Sequence, residues 1–373
     1  MKILIINKNH HSCIGGIEGY TKKLANLFTQ LNHEVAEFAF NINPERVGEA
    51  DTQTNIINLN PLKSGQHKKL SIRQKRIAMK NAVNKILKIH DQYDLIINQS
   101  ANVKWPKEIY QNPKWIYVQH FNPDFYKQKF IAGKFLAPII YWGMKMTGIK
   151  NPFNHFQNFV FFSEADQKIL NPLNKQHWII PLAAFSAQRI NEIRNNKTIN
   201  MNNKLAYIGR IDPKQKQIKK MIKFGKRLNL TIDFYGSGKE KLFKNNPSLY
   251  KGKLSNQEIV QKLNSYQFLI LLSKYEGFAL SIVEALSCGT PVIINDFCPS
   301  SQFLAKDHGF LIKNKMDLKL LQTSINDYNL YQQLQNNSFE FALKYLTIEK
   351  WEAKWKEVLS YFEQNEYIYR HGH

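Results

Sequence analysis

The apolar positions fall into two kinds of run that alternate along most of the chain. KILIIN (2–7) is a short continuous apolar run with polar flanks, the pattern of a strand buried on both faces of a parallel sheet. From Ile17 the spacing changes. Tyr20, Leu24, Leu27, Phe28 and Leu31 recur at helical intervals, and EVAEFAF then reads as a second strand. Strand, glycine-containing loop, helix and strand make a βαβ unit. Further on, the pattern predicts a long helix over 62–90 and strands in YDLIINQS (93–100) and WIYVQHF (115–121). FVFFSEADQKIL (159–170) reads as a strand then a helix with Ser163 at its N-cap, and HWIIPLAA (177–184) as another strand.

Residues 186–203 are polar, Asn-rich and weakly periodic, so they read as a linker. Beyond them the alternation restarts: KLAYIGR, a helix over 215–228, LTIDFYGSG, a helix over 255–264, FLILLS, a helix over 280–288, PVIIND and GFLI. Strand–helix alternation in both halves predicts an α/β chain of two Rossmann-like doubly wound domains facing a cleft, residues 1–185 and 204–345. A length of 373 residues suits two domains of roughly 150–200 residues. The stretch 346–373 stands apart. IEKWEAKWKEVLSYF (348–362) is amphipathic, with Trp351, Trp355, Val358 and Leu359 along one side, and EQNEYIYRHGH after it reads as frayed.

Charge changes the picture of partners. Lys plus Arg is 52 and Asp plus Glu 29, so the net charge is 52 − 29 = +23, which attracts polyanions: nucleic acid, an anionic membrane or phosphorylated substrates. Residues 52–90 carry no acid, but they do carry Lys63, Lys68, Lys69, Arg73, Lys75, Arg76, Lys80, Lys85 and Lys88. Residues 126–153 mix lysines with Phe130, Phe135, Tyr141, Trp142 and Phe153. Basic plus aromatic surface suits an anionic membrane face or a phosphate-bearing acceptor. No RNA-binding signature accompanies the charge, so no nucleic-acid partner is expected, although a basic nucleic-acid-binding protein is the rival reading of another class. Three cysteines without paired spacing fit a reducing compartment. MKILIINKNHH reads as a strand rather than a signal peptide. No uncharged run approaches the ~18–20 residues of a membrane span. The expectation is a cytoplasmic protein able to lie on the inner face of the cell membrane.

Open α/β sheets bind ligands at the carboxyl ends of their strands. After the first strand stand Gly15 and Gly16, opening a helix, which either cradle an anion or make a plain turn. After KLAYI stand Arg210, Lys214 and Lys216, which either meet a diphosphate or begin a solvated basic helix. After FLILLS comes Glu276, then the Gly277–Phe278–Ala279–Leu280 backbone turning into a helix that carries Glu284. A charge inside so apolar a run is costly unless engaged, and a carboxylate there can accept two ribose hydroxyls. His120 ends the strand in WIYVQHF and can meet a substrate hydroxyl or be a structural histidine. His10 and His11 have weaker claims. No DxD pair, His/Cys/carboxylate cluster, GxSxG or Walker motif occurs, so neither metal nor cofactor is expected.

In order along the chain these stations resemble the retaining glycosyltransferases of family 4, which have the GT-B fold. GGIEGYTKKLANLF looks like that family's first Gly-rich loop and helix, and VQHF like the segment with its cleft histidine. YIGRIDPKQK resembles its GR…K, DFYGSGKEKL its G-x-G strand end, and YKGKLSNQEIVQKL its base-binding loop. EGFALSIVEALSCGTPVI resembles its E-x7-E signature, and TIEKWEAKWKEVL the terminal helix that returns to the first domain. The resemblance implies that Glu284 binds the ribose of a nucleotide-sugar and Glu276 the hydroxyls of its sugar. Arg210 and Lys216, with Lys214 in reserve, would neutralise the departing diphosphate, helped by backbone at Gly15–Gly16 and at Gly277 to Leu280. His120 would sit beside the donor sugar and Leu254, in a strand after Gly252, near the base. The implied reaction is retaining transfer of a hexose or N-acetylhexosamine from a UDP-sugar to a hydroxyl of a lipid-linked or other cell-envelope saccharide. A nucleotide-sugar epimerase or glucan synthase of the same fold is the alternative.

Overall fold

The computed structural model describes residues 1–9, 16–41, 55–58, 71–100, 103, 105–120, 156–170 and 175–371. The chain forms two compact units. The first comprises Met1–Phe161, Gln167–Ile180 and Lys354–His373, and the second Phe162–Asp166 and Pro181–Ala353.

The first unit is built on a seven-stranded sheet of β1 (Lys2–Asn9), β2 (Glu34–Asn41), β3 (Asn55–Asn58), β4 (Leu95–Asn98), β5 (Trp115–Val118), β6 (Asn158–Phe161) and β7 (Gln176–Ile179), in the order β3-β2-β1-β4-β5-β6-β7. Every pairing in it is parallel. Ile3, Leu4, Ile5 and Ile6 are all fully buried, which explains why β1 reads as an unbroken apolar run rather than an alternating one. One face of the sheet packs Leu4, Ile6, Ile96, Trp115 and Tyr117 with Ala82, Val83 and Ile86 of the helix Ile72–Ile89. That helix has a capping box between Ser71 and Gln74, while its predicted part over 62–70 lies outside the described residues. Arg73, Lys80, Lys85 and Lys88 are exposed on it, so these four cations lie on its solvent side.

The second unit holds a five-stranded parallel sheet of β8 (Lys204–Ile208), β9 (Thr231–Tyr235), β10 (Phe268–Leu271), β11 (Val292–Asn295) and β12 (Gly309–Ile312), ordered β12-β11-β10-β8-β9. Two glycines set the β8 and β9 ends. Gly236 and Gly238 have φ of +139° and +144°, and a Cβ on either would run into the carbonyl of Gly209 or Ile211. Their bareness lets the loop after β8, which carries Arg210, lie against the end of β9.

Several readings need correction. The stretch 186–203 is not a plain linker, since Ala187–Asn195 is a helix capped by Ser186 that buries only Ile190 and Ile193; so sparse a stripe hides its period. The helix expected from 215 begins at Ile218, because the Asp212 carboxylate captures the amides of Lys214 and Gln215 in a turn ahead of it. The tail read as frayed is helical, in one helix Ile348–His371. The stretch 162–166, read with the first domain, belongs to the second unit. There the Ser163 and Ser300 hydroxyls both reach Asp166 Oδ2 at 2.7 Å, and the Phe162 ring meets Phe278 edge-on.

The same unit buries a histidine whose charge is only partly compensated. His308 is 3% exposed and stacks on Phe341 at 4.2 Å. Burial pushes its pKa down from 6.5 to about 4, against weaker opposition from backbone hydrogen bonding and Asp307. Below pH 6.5 the unfolded chain takes up a proton that the folded one refuses. Stability present above that pH is therefore lost as it falls, by about 2 kcal/mol at pH 5 and about 3 kcal/mol near pH 4. Urea melts at pH 7 and pH 5 should show His308→Phe losing less stability on acidification than the parent chain, and equal losses would count against this assignment.

Candidate functional site

The sequence candidates divide between the units. Arg210, Lys214, Lys216, Leu254, Glu276, Gly277, Phe278, Ala279, Leu280 and Glu284 belong to the second, and Gly16 and His120 to the first. Gly15, His10 and His11 lie outside the described residues.

In the second unit the loops after β8 and β10 are laced together. Gln215 does the lacing. Its side-chain carbonyl accepts from Arg210 Nη2 at 2.6 Å, its amide nitrogen donates to Tyr275 O at 3.3 Å, and its backbone carbonyl accepts from Lys274 N at 2.8 Å. Arg210 is exposed, and the Tyr207 hydroxyl donates to its backbone carbonyl at 2.7 Å. Asp212, held below the usual carboxylate range first by the amide of Gln215 and then by that of Lys214, shapes the turn between the two basic residues. Lys216 Nζ pairs with Glu276 Oε1 at 2.5 Å, the two side chains only 12% and 11% exposed, whereas Lys214 points to solvent. From behind, the amide of Glu276 donates to Phe297 O at 3.3 Å and Asn295 Nδ2 to Ser273 O at 2.8 Å, so the segment after β11 braces this loop.

Phe278 and Ala279 are buried and lead into the helix Leu280–Ser287. Its N-cap, Ala279, offers no side-chain hydrogen bond, whereas Ser255 closes a capping box with Glu258 on the helix Asn256–Asn264. An apolar cap leaves the first-turn amides of Leu280–Ser287 without a side-chain oxygen, which suits an anion arriving from outside. Glu284, one turn further along, is half-buried in the same helix. Burial pushes the nearby Cys288 thiol up to about 12, so it is no nucleophile at neutral pH. Leu254 is half-buried, but the expected strand around it is absent. Its segment is irregular, tied to β9 by Lys251 N to Phe234 O at 3.0 Å and Gly236 N to Gly252 O at 2.8 Å.

In the first unit Gly16 is exposed at the start of the helix Gly16–Gln30. His120 follows β5, its Nε2 2.6 Å from Gln99 Oε1 and its ring meeting Tyr20 edge-on at 5.1 Å. Burial pushes the imidazole down to about 3, so it is neutral near pH 7. Gln215, Gln99, Thr21 and Tyr20 were not singled out from sequence. The one signal available for Gln99 was a polar residue at the carboxyl end of a buried strand. Among the described residues no group of three or more His, Cys, Asp and Glu side chains is placed to hold a metal ion, and no helix is long and apolar enough to cross a membrane.

Residues 189–341 match the family described as Glycosyl transferases group 1, a span that takes in every second-unit residue of the site. The chain is 28% identical over 165 residues, 38% of its own length, to the GtfA subunit of UDP-N-acetylglucosamine–peptide N-acetylglucosaminyltransferase from Streptococcus pneumoniae serotype 4. It is 31% identical over 137 residues, 32% of its length, to poly(glycerol-phosphate) alpha-glucosyltransferase from Bacillus subtilis. It spans only 32% and 20% of those two proteins. Its structure is similar to that of sucrose-phosphate synthase from Thermosynechococcus elongatus, with a TM-score of 0.72 and 16% identity over 98% of this chain and 99% of that one. At that identity the likeness concerns architecture, and the chain has the GT-B fold.

Proposed function

We propose that this chain is a retaining glycosyltransferase that moves a hexose or N-acetylhexosamine from a UDP-sugar to a hydroxyl of a cell-envelope acceptor. The observation that carries the proposal is the Lys216–Glu276 pair set beside Arg210 and at the head of an uncapped helix that bears Glu284. Glu284 accepts the ribose hydroxyls and Glu276 those of the sugar. As the bond to the sugar breaks, negative charge grows on the diphosphate, and Arg210, Lys216 and the amides at the start of Leu280–Ser287 stabilise it. With no enzymic nucleophile placed, the acceptor hydroxyl attacks on the face the diphosphate leaves, and the leaving phosphate takes its proton. UDP is favoured because one relative is named for a UDP-sugar. An acceptor with phosphate, polymeric or lipid-linked, is favoured by the +23 charge and by a relative named for poly(glycerol-phosphate). The exposed cations of the helix Ile72–Ile89 would then face that acceptor or an anionic membrane.

A thermal-shift panel of nucleotide-sugars and nucleoside diphosphates tests the donor half. A ligand at 100 times its dissociation constant should add about 2.7 kcal/mol of stability. The rise should be largest with uridine compounds and should vanish in Glu284→Ala. No shift with any member would sink the reading.

A further inference from the structure

In the second unit a dipeptide joins the loops after β8 and β10. Gln215 and Lys216 address three consecutive residues: Gln215 O accepts from Lys274 N at 2.8 Å, Gln215 Nε2 donates to Tyr275 O at 3.3 Å, and Lys216 Nζ pairs with Glu276 Oε1. The main chain of Gln215 is held on both sides, because its N–H donates to Asp212 Oδ1 at 3.0 Å. Its side-chain amide has one way round. A carbonyl only accepts and a guanidinium only donates, so the nitrogen faces Tyr275 O and the oxygen takes Arg210 Nη2 at 2.6 Å. Arg210 is exposed, and a solvated arginine samples many rotamers. This one is gripped at its root as well as its tip, since the hydroxyl of fully buried Tyr207 donates to Arg210 O at 2.7 Å. The grip is uncharged. Lys216 faces a carboxylate that offsets its charge, whereas Arg210 is held by a neutral amide. Asp212, its carboxylate spent on the amides of Lys214 and Gln215, acts on Arg210 only through space.

We propose that Gln215 is a positioning residue which, oriented by the Tyr275 carbonyl, holds the Arg210 guanidinium in place without cancelling its charge. The use of that held charge rests on the reading that Arg210 stabilises a departing diphosphate. An ordered cation needs no rearrangement when negative charge grows beside it. A mobile one must give up its freedom at that moment, and the loss is added to the barrier. A glutamate at this position would hold the guanidinium but pair with it, and would set an oxygen without a hydrogen against Tyr275 O. A lysine would set cation against cation. Glutamine alone among the three supplies an acceptor for Arg210 and a donor for Tyr275.

Nitrogen-15 spectra of arginine-labelled protein test the holding without any ligand, with Arg210→Lys assigning the signal. The Arg210 guanidinium should show hindered rotation in the parent chain. It should rotate as a solvated arginine does in Gln215→Met, which keeps the length of the side chain and the backbone bonds to Asp212 and Lys274. Gln215→Asn, too short to span Arg210 and Tyr275, gives the same reading if Gln215→Met does not fold. Steady-state transfer tests the use. Turnover should fall about tenfold in Gln215→Met, the worth of one net hydrogen bond, with the KM for donor within about twofold of the parent value. In the Arg210→Ala chain the same substitution should change turnover by less than about twofold, because Gln215 acts through Arg210. Gln215→Glu should keep the guanidinium ordered and still lose turnover, and full turnover there would overturn the claim that a neutral holder is needed. A guanidinium that rotates as freely in the parent as in Gln215→Met would overturn the assignment, as would a tenfold loss that persists in the Arg210→Ala chain. If the rotation changes as expected while Arg210→Ala transfers normally, the holding stands and the diphosphate reading falls.

Discussion

Arg210→Ala lowers turnover about a hundredfold or more at saturating donor while leaving the melting temperature where it was. The two halves of that result have separate causes. Arg210 is exposed, and its guanidinium donates to Gln215, so its loss opens no cavity and strands no buried charge. A preorganised cation aimed at growing charge is worth about 3–4 kcal/mol of barrier, because it stabilises the transition state more than the bound donor. Lys216 is a poorer probe. Its removal leaves Glu276, 11% exposed, without its cation, so stability and turnover would fall together. Steady-state release of nucleoside diphosphate, measured beside a thermal melt, checks the prediction. Turnover near that of the parent chain would remove Arg210 from the chemistry.

Trp355→Ala costs about 3–5 kcal/mol of stability in urea denaturation, the range for truncating a large buried aromatic side chain. Trp355 is fully buried, its ring edge-on to Phe28 at 5.7 Å and its indole nitrogen bonded to the Tyr20 hydroxyl. Trp355→Phe should recover most of the packing but not the hydrogen bond. A cost under about 1 kcal/mol for the alanine variant would mean that the helix Ile348–His371 contributes little to the first unit.

What could be read from sequence followed the period of the apolar residues. Strands such as Ile3–Ile6 and Phe268–Leu271 are short, continuous and fully buried, and their pattern has no rival. The helix Ala187–Asn195 escaped because two buried isoleucines among Asn, Arg and Glu do not establish a period. The segment holding Leu254 was misread because its irregular backbone, with Gly252 at φ +89°, makes loop-type hydrogen bonds, which leave no mark on composition. In the site, Arg210, Lys216, Glu276 and Glu284 stood out by their place at strand ends and in an apolar helix. Whether Lys214 or Lys216 meets Glu276 depends on the Asp212 turn, a feature of three-dimensional packing. Gln99 and Thr21 lie 78 residues apart, and no spacing rule connects them. Nor does one foretell that Gln215 bonds both Arg210 and the backbone of Tyr275.

Tyr20 and Trp355 are joined across 335 residues of chain, with the whole of Pro181–Ala353 between them in sequence. During synthesis the amino-terminal lobe must therefore wait, its aromatic socket unfilled, until the ribosome has made the other lobe. The usual order, in which the first-made domain folds first, is closed to it. A nascent chain halted before Lys354 should have one finished lobe, the later-made one, and an earlier lobe still dependent on chaperones.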